Sequence, residues 1–422
     1  MTFRSRIART CLTVTPLAVV AAAAVVPVQS HAAGRCTPVW APAWASSQML
    51  PTGDNALAPG SLGGATLRQV VRPSIGGERV RLRLSNVAGT APLHVGGVTI
   101  ARPAGGASPA IDTATLRPVR FGGQADVVVP AGAEYLSDPV DIRAEALGSL
   151  TVSIRHAQDP AQQTSHPGAR ATSYLLPGDH LTDADMPGAQ RFEHWFTLAA
   201  LEVERCAPAA TIVALGDSIT DGRGATPDRD ERWPDRLMER LQADPSHRGI
   251  AVLNQGIGGN RLLNDGLGPN ALARLDRDVL AQPGVRWLIL LEGINDIGTL
   301  TREAPVSDAE HAALVSRMTG AYEQIVARAR ARGIKVIGAT VMPFMGTAFY
   351  HPDTKNEADR QAVNRWIREK GHFDAVIDFD RIMRDPARPD RLLPAYDSGD
   401  ALHPSPAGYR AMGDAIPLGL FD

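Results

Sequence analysis

Apolar and polar positions change their rhythm once along this chain, near residue 206. From about Cys36 to Glu204 the apolar residues alternate or cluster in short runs, as in Val70-Val71, Val80-Arg-Leu-Arg-Leu84 and Leu150-Thr-Val-Ser-Ile154. Turn signals separate them: Gly76-Gly77, Gly89-Thr90, Gly105-Gly106, Gly122-Gly123 and Pro177-Gly178. Short strands at turn-delimited spacing predict an all-β sandwich. Val80, Leu82 and Leu84 share one face and Arg81 and Arg83 the other, the period of two that a half-buried strand requires.

After Cys206 short apolar runs alternate with helical stretches. Strands are predicted over 212–215, 251–254, 287–291, 336–341 and 375–378, and helices over 234–243, 271–281, 308–332 and 356–370. This βαβ rhythm predicts a mainly parallel sheet with helices on both faces. Sites in such sheets form outside the carboxyl ends of the strands.

The N-terminus has a third pattern. Arg4, Arg6 and Arg9 precede an apolar stretch over 12–28, and Ser30-His31-Ala32 supplies small residues at a cleavage spacing. This predicts a signal peptide over 1–32 and a secreted or periplasmic protein. A membrane anchor is the competing reading, but the run is short and carries Pro16 and Pro27. Elsewhere no stretch is long and apolar enough to span a bilayer, so no integral span is expected after cleavage. The expected division is signal 1–32, β-sandwich domain 36–205 and α/β domain 206–422.

Charge and cysteines narrow the partners. Removing the first 32 residues takes away three arginines and no acid, moving the net charge from -2 to -5. With no basic block, nucleic acid is excluded as an expected partner. Cys11 leaves with the leader, while Cys36 and Cys206 flank the β segment and are expected to form a disulfide. There is no C-x-x-C and no H-E-x-x-H, so no metal site is expected. Trp40 and Trp44 read as packing residues rather than sugar platforms, and His156, His166 and His194 as ordinary surface or hydrogen-bonded histidines.

The chemistry gathers just past the strands. Gly216-Asp-Ser-Ile-Thr220 ends the first, placing Ser218 where a strand turns into a helix. Backbone N–H groups there favour a developing oxyanion; the plainer reading is a helix cap. Asn254-Gln-Gly-Ile-Gly-Gly-Asn260 follows the second strand and fits neither G-x-G-x-x-G nor the Walker spacing. Gly293-Ile-Asn-Asp296 follows the third, where Asn295 is a side-chain donor or a turn former. Near the C-terminus stands Asp400-Ala-Leu-His403-Pro-Ser405-Pro406. Ser405 and Pro406 suit a helix start, leaving Asp400 and His403 in the loop before it. A carboxylate there can hold the imidazole Nδ1–H, freeing Nε2 to take a serine proton.

Gly216-Asp-Ser-Ile-Thr220, Gly259, Gly293-x-Asn295-Asp296 and Asp400-x-x-His403 resemble, in order, the four signature blocks of the GDSL/SGNH hydrolases. The resemblance covers the second half of the chain. It implies a flavodoxin-like α/β domain with a parallel sheet, needing no cofactor. It also implies Ser218 as nucleophile, His403 as base and Asp400 as its partner. The oxyanion donors would be the Ser218 and Gly259 N–H groups and the Asn295 side chain. Gly259 is preferred to Gly256 and Gly258 because the family's donor glycine ends an Asn-x-x-x-x-Gly stretch, here begun by Asn254. Thr220 stands where a G-x-S-x-G elbow has its second glycine, so that strained turn is not required. More loosely, Trp40-x-x-x-Trp44, Thr66-Leu-Arg-Gln69 and Arg81-Leu-Arg-Leu-Ser85 resemble the extra domain of a secreted subgroup grouped with xylan-system esterases. The expected function is a secreted serine esterase acting on small-molecule or polysaccharide esters through an acyl-serine intermediate. The alternatives are an acyltransferase with the same triad, a lipase or lysophospholipase-type acylhydrolase, and a non-catalytic binding protein.

Overall fold

In the computed structural model, residues 37–206 and 209–422 are described. The expected leader over 1–32 and Cys36 lie outside them. Cys206 is disulfide-bonded.

The alternating segment forms two large antiparallel sheets and a two-stranded ladder that pairs Ser165–His166 with Trp195–Phe196. One large sheet runs in the order Val39–Ala45, Leu198–Arg205, Arg79–Ser85, Glu134–Leu136. Val80, Leu82 and Leu84 are fully buried, as their period predicts. On the opposite face Arg81 Nε and Arg83 Nη2 donate to the Glu202 carboxylate at 2.7 and 2.8 Å, with Glu202 directly across from Arg81. Cross-strand pairs of this kind fix register. The other, seven-stranded sheet is built around Ala65–Val71, Leu150–His156 and Leu93–Pro103. Val95, Val98, Val152 and Ile154 from it join Val80, Leu82 and Leu84 in one apolar cluster. Trp44 is buried there, edge-on to Trp195 with ring centroids 4.9 Å apart. The Arg81 guanidinium lies 4.5 Å over the Trp40 ring.

The second half carries a five-stranded parallel sheet in the order Ile250–Gly256, Ala210–Gly216, Val285–Leu291, Lys335–Ala339, Ala375–Ile377. In chain order that is 2-1-3-4-5, the flavodoxin arrangement, whose ligand crevice opens where strands one and three diverge. Ile212, Val213, Ala214 and Leu215 are fully buried, as expected of a central parallel strand. Helices follow at Trp233–Ala243, Asp308–Arg330 and Thr354–Arg368, close to the predicted bounds. The stretch predicted as one helix over 271–281 instead ends as α-helix at Leu275 and widens into a π-turn over Asp276–Leu280. Ala281 N–H there reaches back to Asp276 O. Gly293-Ile-Asn-Asp296 is not a free turn: Gly293, at φ +113°, caps the helix Ile294–Thr301. Ser405 caps Pro406–Ala415, accepting from the Gly408 N–H as the Ser-Pro pair predicts.

Residues 38–422 form one compact unit. The β segment covers the edge strand Ile250–Gly256, where Ser74 Oγ accepts from the Val252 N–H, so this edge does not present a bare ladder to solvent. Ser47 reaches further in, its Oγ lying 2.6 Å from Gln255 Oε1 and 2.9 Å from Asp278 Oδ2, with its single proton available to one of them at a time. The fully buried Arg274 ties these parts together. It donates to Ser47 Oγ, Gln255 O, Gly216 O and Asn260 Oδ1 at 2.6–3.0 Å, and lies 3.4 Å from Glu292 Oε1. One guanidinium thereby fixes the carboxyl ends of the first three parallel strands relative to one another. Among the described residues no helix is long and apolar enough to cross a membrane.

Candidate active site

Ser218 opens a single helical turn, Ser218–Asp221, at the end of the first parallel strand. Asp217 caps it: its Oδ1 accepts from the Ile219 N–H at 2.9 Å, and its carbonyl accepts from the Thr220 and Asp221 N–H groups. The Ser218 N–H is the first-turn donor that remains. Ser218 is 7 % exposed, and its Oγ is 2.8 Å from His403 Nε2. His403 Nδ1 is 2.6 Å from Asp400 Oδ2. The Asp400–His403 spacing works because the loop folds back on itself. The His403 and Leu402 N–H groups both donate to Asp400 Oδ1, at 2.8 and 3.0 Å. Partial burial pushes the Asp400 carboxyl upward, yet the hydrogen bonds from His403 and Leu402 and the His403 charge hold it well below the usual carboxylate range.

The second strand leads into a tight turn. Asn260 N–H donates to Ile257 O, and Gly259 has φ +73°. A positive φ at the third position marks a type II turn, which asks for glycine there. Of the three glycines in this stretch, Gly256 donates its N–H to Asn254 Oδ1 and Gly258 to Asp221 Oδ2. The Gly259 N–H belongs to the central peptide, which the turn's own hydrogen bond does not use.

Asn295 comes in from the third strand end and is 2 % exposed. Its Nδ2 donates to Asn260 O at 2.7 Å, and its Oδ1 accepts from the Tyr350 hydroxyl at 2.6 Å. Asn260 O can only accept, so the amide orientation is settled: oxygen toward Tyr350, nitrogen toward the glycine turn, with one N–H left over. Burial first, then the Asp217 charge, pushes the Tyr350 hydroxyl above its ordinary range, which keeps it a donor.

All five predicted residues line one cavity of about 830 Å³, within the usual range for ligand sites. The α/β half also contributes Leu267, Phe349 and Tyr350 to its lining. Met49, Asn55 and Arg170 come from the β segment. Beneath Ser218, burial raises the Asp217 carboxyl to about 7, helped by the negative charge of Asp296. Asp296 itself is raised to about 6 by burial, against hydrogen bonds from the Leu262 and Leu263 N–H groups.

Residues 214–411 match the GDSL-like lipase/acylhydrolase family. Those residues, just under half of the chain, form a GDSL-like region. It is a carboxylic ester hydrolase region carried behind an antiparallel β segment. A catalytic mutant of an acetylxylan esterase from Geobacillus stearothermophilus is 23 % identical, over 49 % of this chain and 93 % of that one, with a TM-score of 0.38. A GDSL-like lipase from Bacteroides thetaiotaomicron is 20 % identical over 50 % and 87 %, TM-score 0.37. No curated protein matches the chain.

Three residues of this GDSL-like site escaped the sequence reading. Tyr350 sits in a loop with no motif around it. Arg274 looks like any arginine on a helical stretch. His166, expected as a surface or hydrogen-bonded histidine, is the latter: it is buried, with Nε2 2.8 Å from Asp221 Oδ1, a partner the sequence did not indicate. None of the three carried a signal of its own; among their partners Asp221 did, standing one residue past the Gly216–Thr220 block.

Proposed function

We propose that this chain is a secreted serine esterase that removes short acyl groups from hydroxylated alcohols such as carbohydrate, through an acyl-Ser218 intermediate. The observation that supports it most is the continuous line Ser218 Oγ, His403 Nε2, His403 Nδ1, Asp400 Oδ2, with links of 2.8 and 2.6 Å, inside a cavity shared with Gly259 and Asn295.

In this reading Ser218 Oγ attacks the ester carbonyl as its proton passes to His403 Nε2, while Asp400 accepts from Nδ1–H and stabilises the imidazolium. The carbonyl oxygen becomes an oxyanion held by the Ser218 N–H, the Gly259 N–H and the spare Asn295 N–H. The C–O bond to the alcohol breaks and His403 returns its proton to the departing oxygen. Water, deprotonated by His403, then attacks the acyl-serine and releases the carboxylic acid. Asn55, Arg170 and Arg223 among the lining residues offer hydrogen-bond partners to a hydroxylated alcohol, beside the apolar side chains of Met49, Leu267 and Phe349. The leader predicted over 1–32 supports export.

The test is a series of p-nitrophenyl esters of increasing acyl length, run beside acetylated xylan, on parent and Ser218→Ala enzyme. Turnover should be greatest with acetyl and fall with length, and the variant should lose at least about 10⁴-fold in kcat. Retained hydrolysis in Ser218→Ala removes the nucleophile; a preference for long chains removes the short-acyl assignment.

A further inference from the structure

The β segment sends one ring into the hydrolase half. His166 Nδ1 is 2.8 Å from Ser47 O and Nε2 is 2.8 Å from Asp221 Oδ1. Both partners are acceptors, so a ring making both bonds donates from both nitrogens. The imidazole is 2 % exposed and stacked on Trp195, with centroids 5.6 Å apart and planes 26° from parallel. Trp195 is in turn held edge-on by Trp44. The ring has little freedom to turn.

Asp221 continues the line. Its Oδ1 accepts from His166 and its Oδ2 accepts from the Gly258 N–H at 3.1 Å. The carboxylate is walled in: a Cβ at Gly168 would lie 1.7 Å from Asp221 Oδ2, and one at Gly256 would lie 2.3 Å from the Asp221 nitrogen. Glycine at 168 is thus what lets the β-segment loop close over this carboxylate. Asp221 pins the Gly258 N–H, and the next peptide along is the one that carries the Gly259 N–H. In a two-glycine turn that peptide is free to flip between alternative turn types unless something outside the turn holds it.

We infer that His166 is a positioning residue for ester hydrolysis: from the β segment it orients Asp221, which fixes the Gly258–Gly259 turn so that the Gly259 N–H faces the developing oxyanion. This rests on the reading of Gly259 as an oxyanion donor. It gives the β segment a part in the chemistry besides covering a sheet edge. The effect falls on the transition state, because the turn touches the substrate oxygen most strongly when that oxygen carries charge.

Two near-isosteric variants test it. In His166→Gln the amide nitrogen reaches the place of Nε2 and keeps the donor to Asp221. In His166→Asn it reaches only the place of Nδ1, keeping Ser47 and leaving Asp221 undirected. Both remove the same ring from Trp195, so a purely structural role predicts equal losses in melting temperature and in rate. The inference predicts that His166→Asn lowers kcat on p-nitrophenyl acetate at least about 10-fold with KM within about twofold. His166→Gln should recover to within about threefold of the parent. Adding His166→Asn to Asp221→Ala should slow the enzyme no further, since both act through one line. Equal rates for the Asn and Gln variants, or a parental kcat in His166→Asn, overturn the inference. Ser218→Ala separates this from the site itself: an inactive Ser218→Ala beside an undiminished His166→Asn rejects the positioning role alone.

Discussion

Asp400 and Asp217 both serve Ser218, one through His403 on the loop before the last helix and one as the cap of the serine's own helical turn. Their surroundings differ in an instructive way. The Asp400 side chain is 45 % exposed, while Asp217 is 1 % exposed. Burial raises both carboxyls. At Asp400 the ring N–H and two backbone N–H groups converge and overcome that effect. At Asp217 the Ile219 N–H does not offset burial, and Asp296 and Asp221 add charge of the same sign. The balance of local donors against desolvation and like charge therefore decides which carboxylate stays ionised. The outcome suits each place: an ionised Asp400 steadies an imidazolium, whereas a charged Asp217 next to Ser218 would oppose the oxyanion forming there.

The largest effect that sharpens this contrast is at the rim. Asp400→Asn keeps the side-chain shape but offers one acceptor oxygen where the carboxylate offers two. The ring N–H and the backbone N–H groups must then compete for it. It should lower kcat by about 10³–10⁴-fold with thermal stability little changed. Steady-state turnover of p-nitrophenyl acetate at saturation reads this directly. A loss under tenfold would mean that His403 holds its orientation without a charged partner.

Next come the groups that take up the charge. Asn295→Ala should cost about 10²–10³-fold in kcat with KM barely moved. Tyr350→Phe leaves Asn295 in place but removes the hydroxyl that fixes its Oδ1, and should cost about tenfold in kcat. If both variants lose the same amount, Tyr350 and Asn295 act as a unit. If Tyr350→Phe is silent, Asn260 O alone is enough to aim the amide.

These residues also mark how far the sequence could be read. Ser218, and the pair Asp400 and His403, are visible locally as candidates: a serine after an apolar run, and two groups three residues apart before a Ser-Pro helix start. Each alone reads equally as a cap or a loop pair, and only the four blocks together assign their roles. The parallel strands are equally local, because apolar runs of four to six residues buried on both faces need no partner to be seen. What stayed hidden is long-range. His166 meets Asp221, and Tyr350 meets Asn295, each across 55 residues. Arg274 meets Ser47 across 227. No periodicity encodes such meetings; they follow from strand order and from a β segment laid against the sheet edge. The π-turn after Leu275 was hidden for a local reason: the stretch 271–281 reads as an ordinary helix.

The smallest predicted effect concerns stability and has opposite signs at the two aspartates. Asp400, lowered in the folded state, contributes stability above its unfolded value that is lost as pH falls through that region. Asp217 does the reverse. Its carboxyl is at about 7 when folded against an ordinary value of 3.8, so the folded protein binds a proton that the unfolded chain has released. Its favourable contribution is complete below about pH 4 and is withdrawn as pH rises from about 4 to about 7. Asp217→Asn removes this dependence while keeping an oxygen to accept from the Ile219 N–H. The variant's melting temperature, relative to the parent, should therefore be higher at pH 8 than at pH 4.5, by on the order of 2–3 °C for a chain of this size. Differential scanning calorimetry of both proteins at the two pH values supplies the double difference. Because Asp296 shares the cluster and is itself raised to about 6, neutralising Asp217 also eases its ionisation, which works in the same direction. A double difference of zero would mean that Asp217 is ionised in the folded protein at both pH values. The cap beneath the nucleophile would then carry a full charge, and the contrast with Asp400 would disappear.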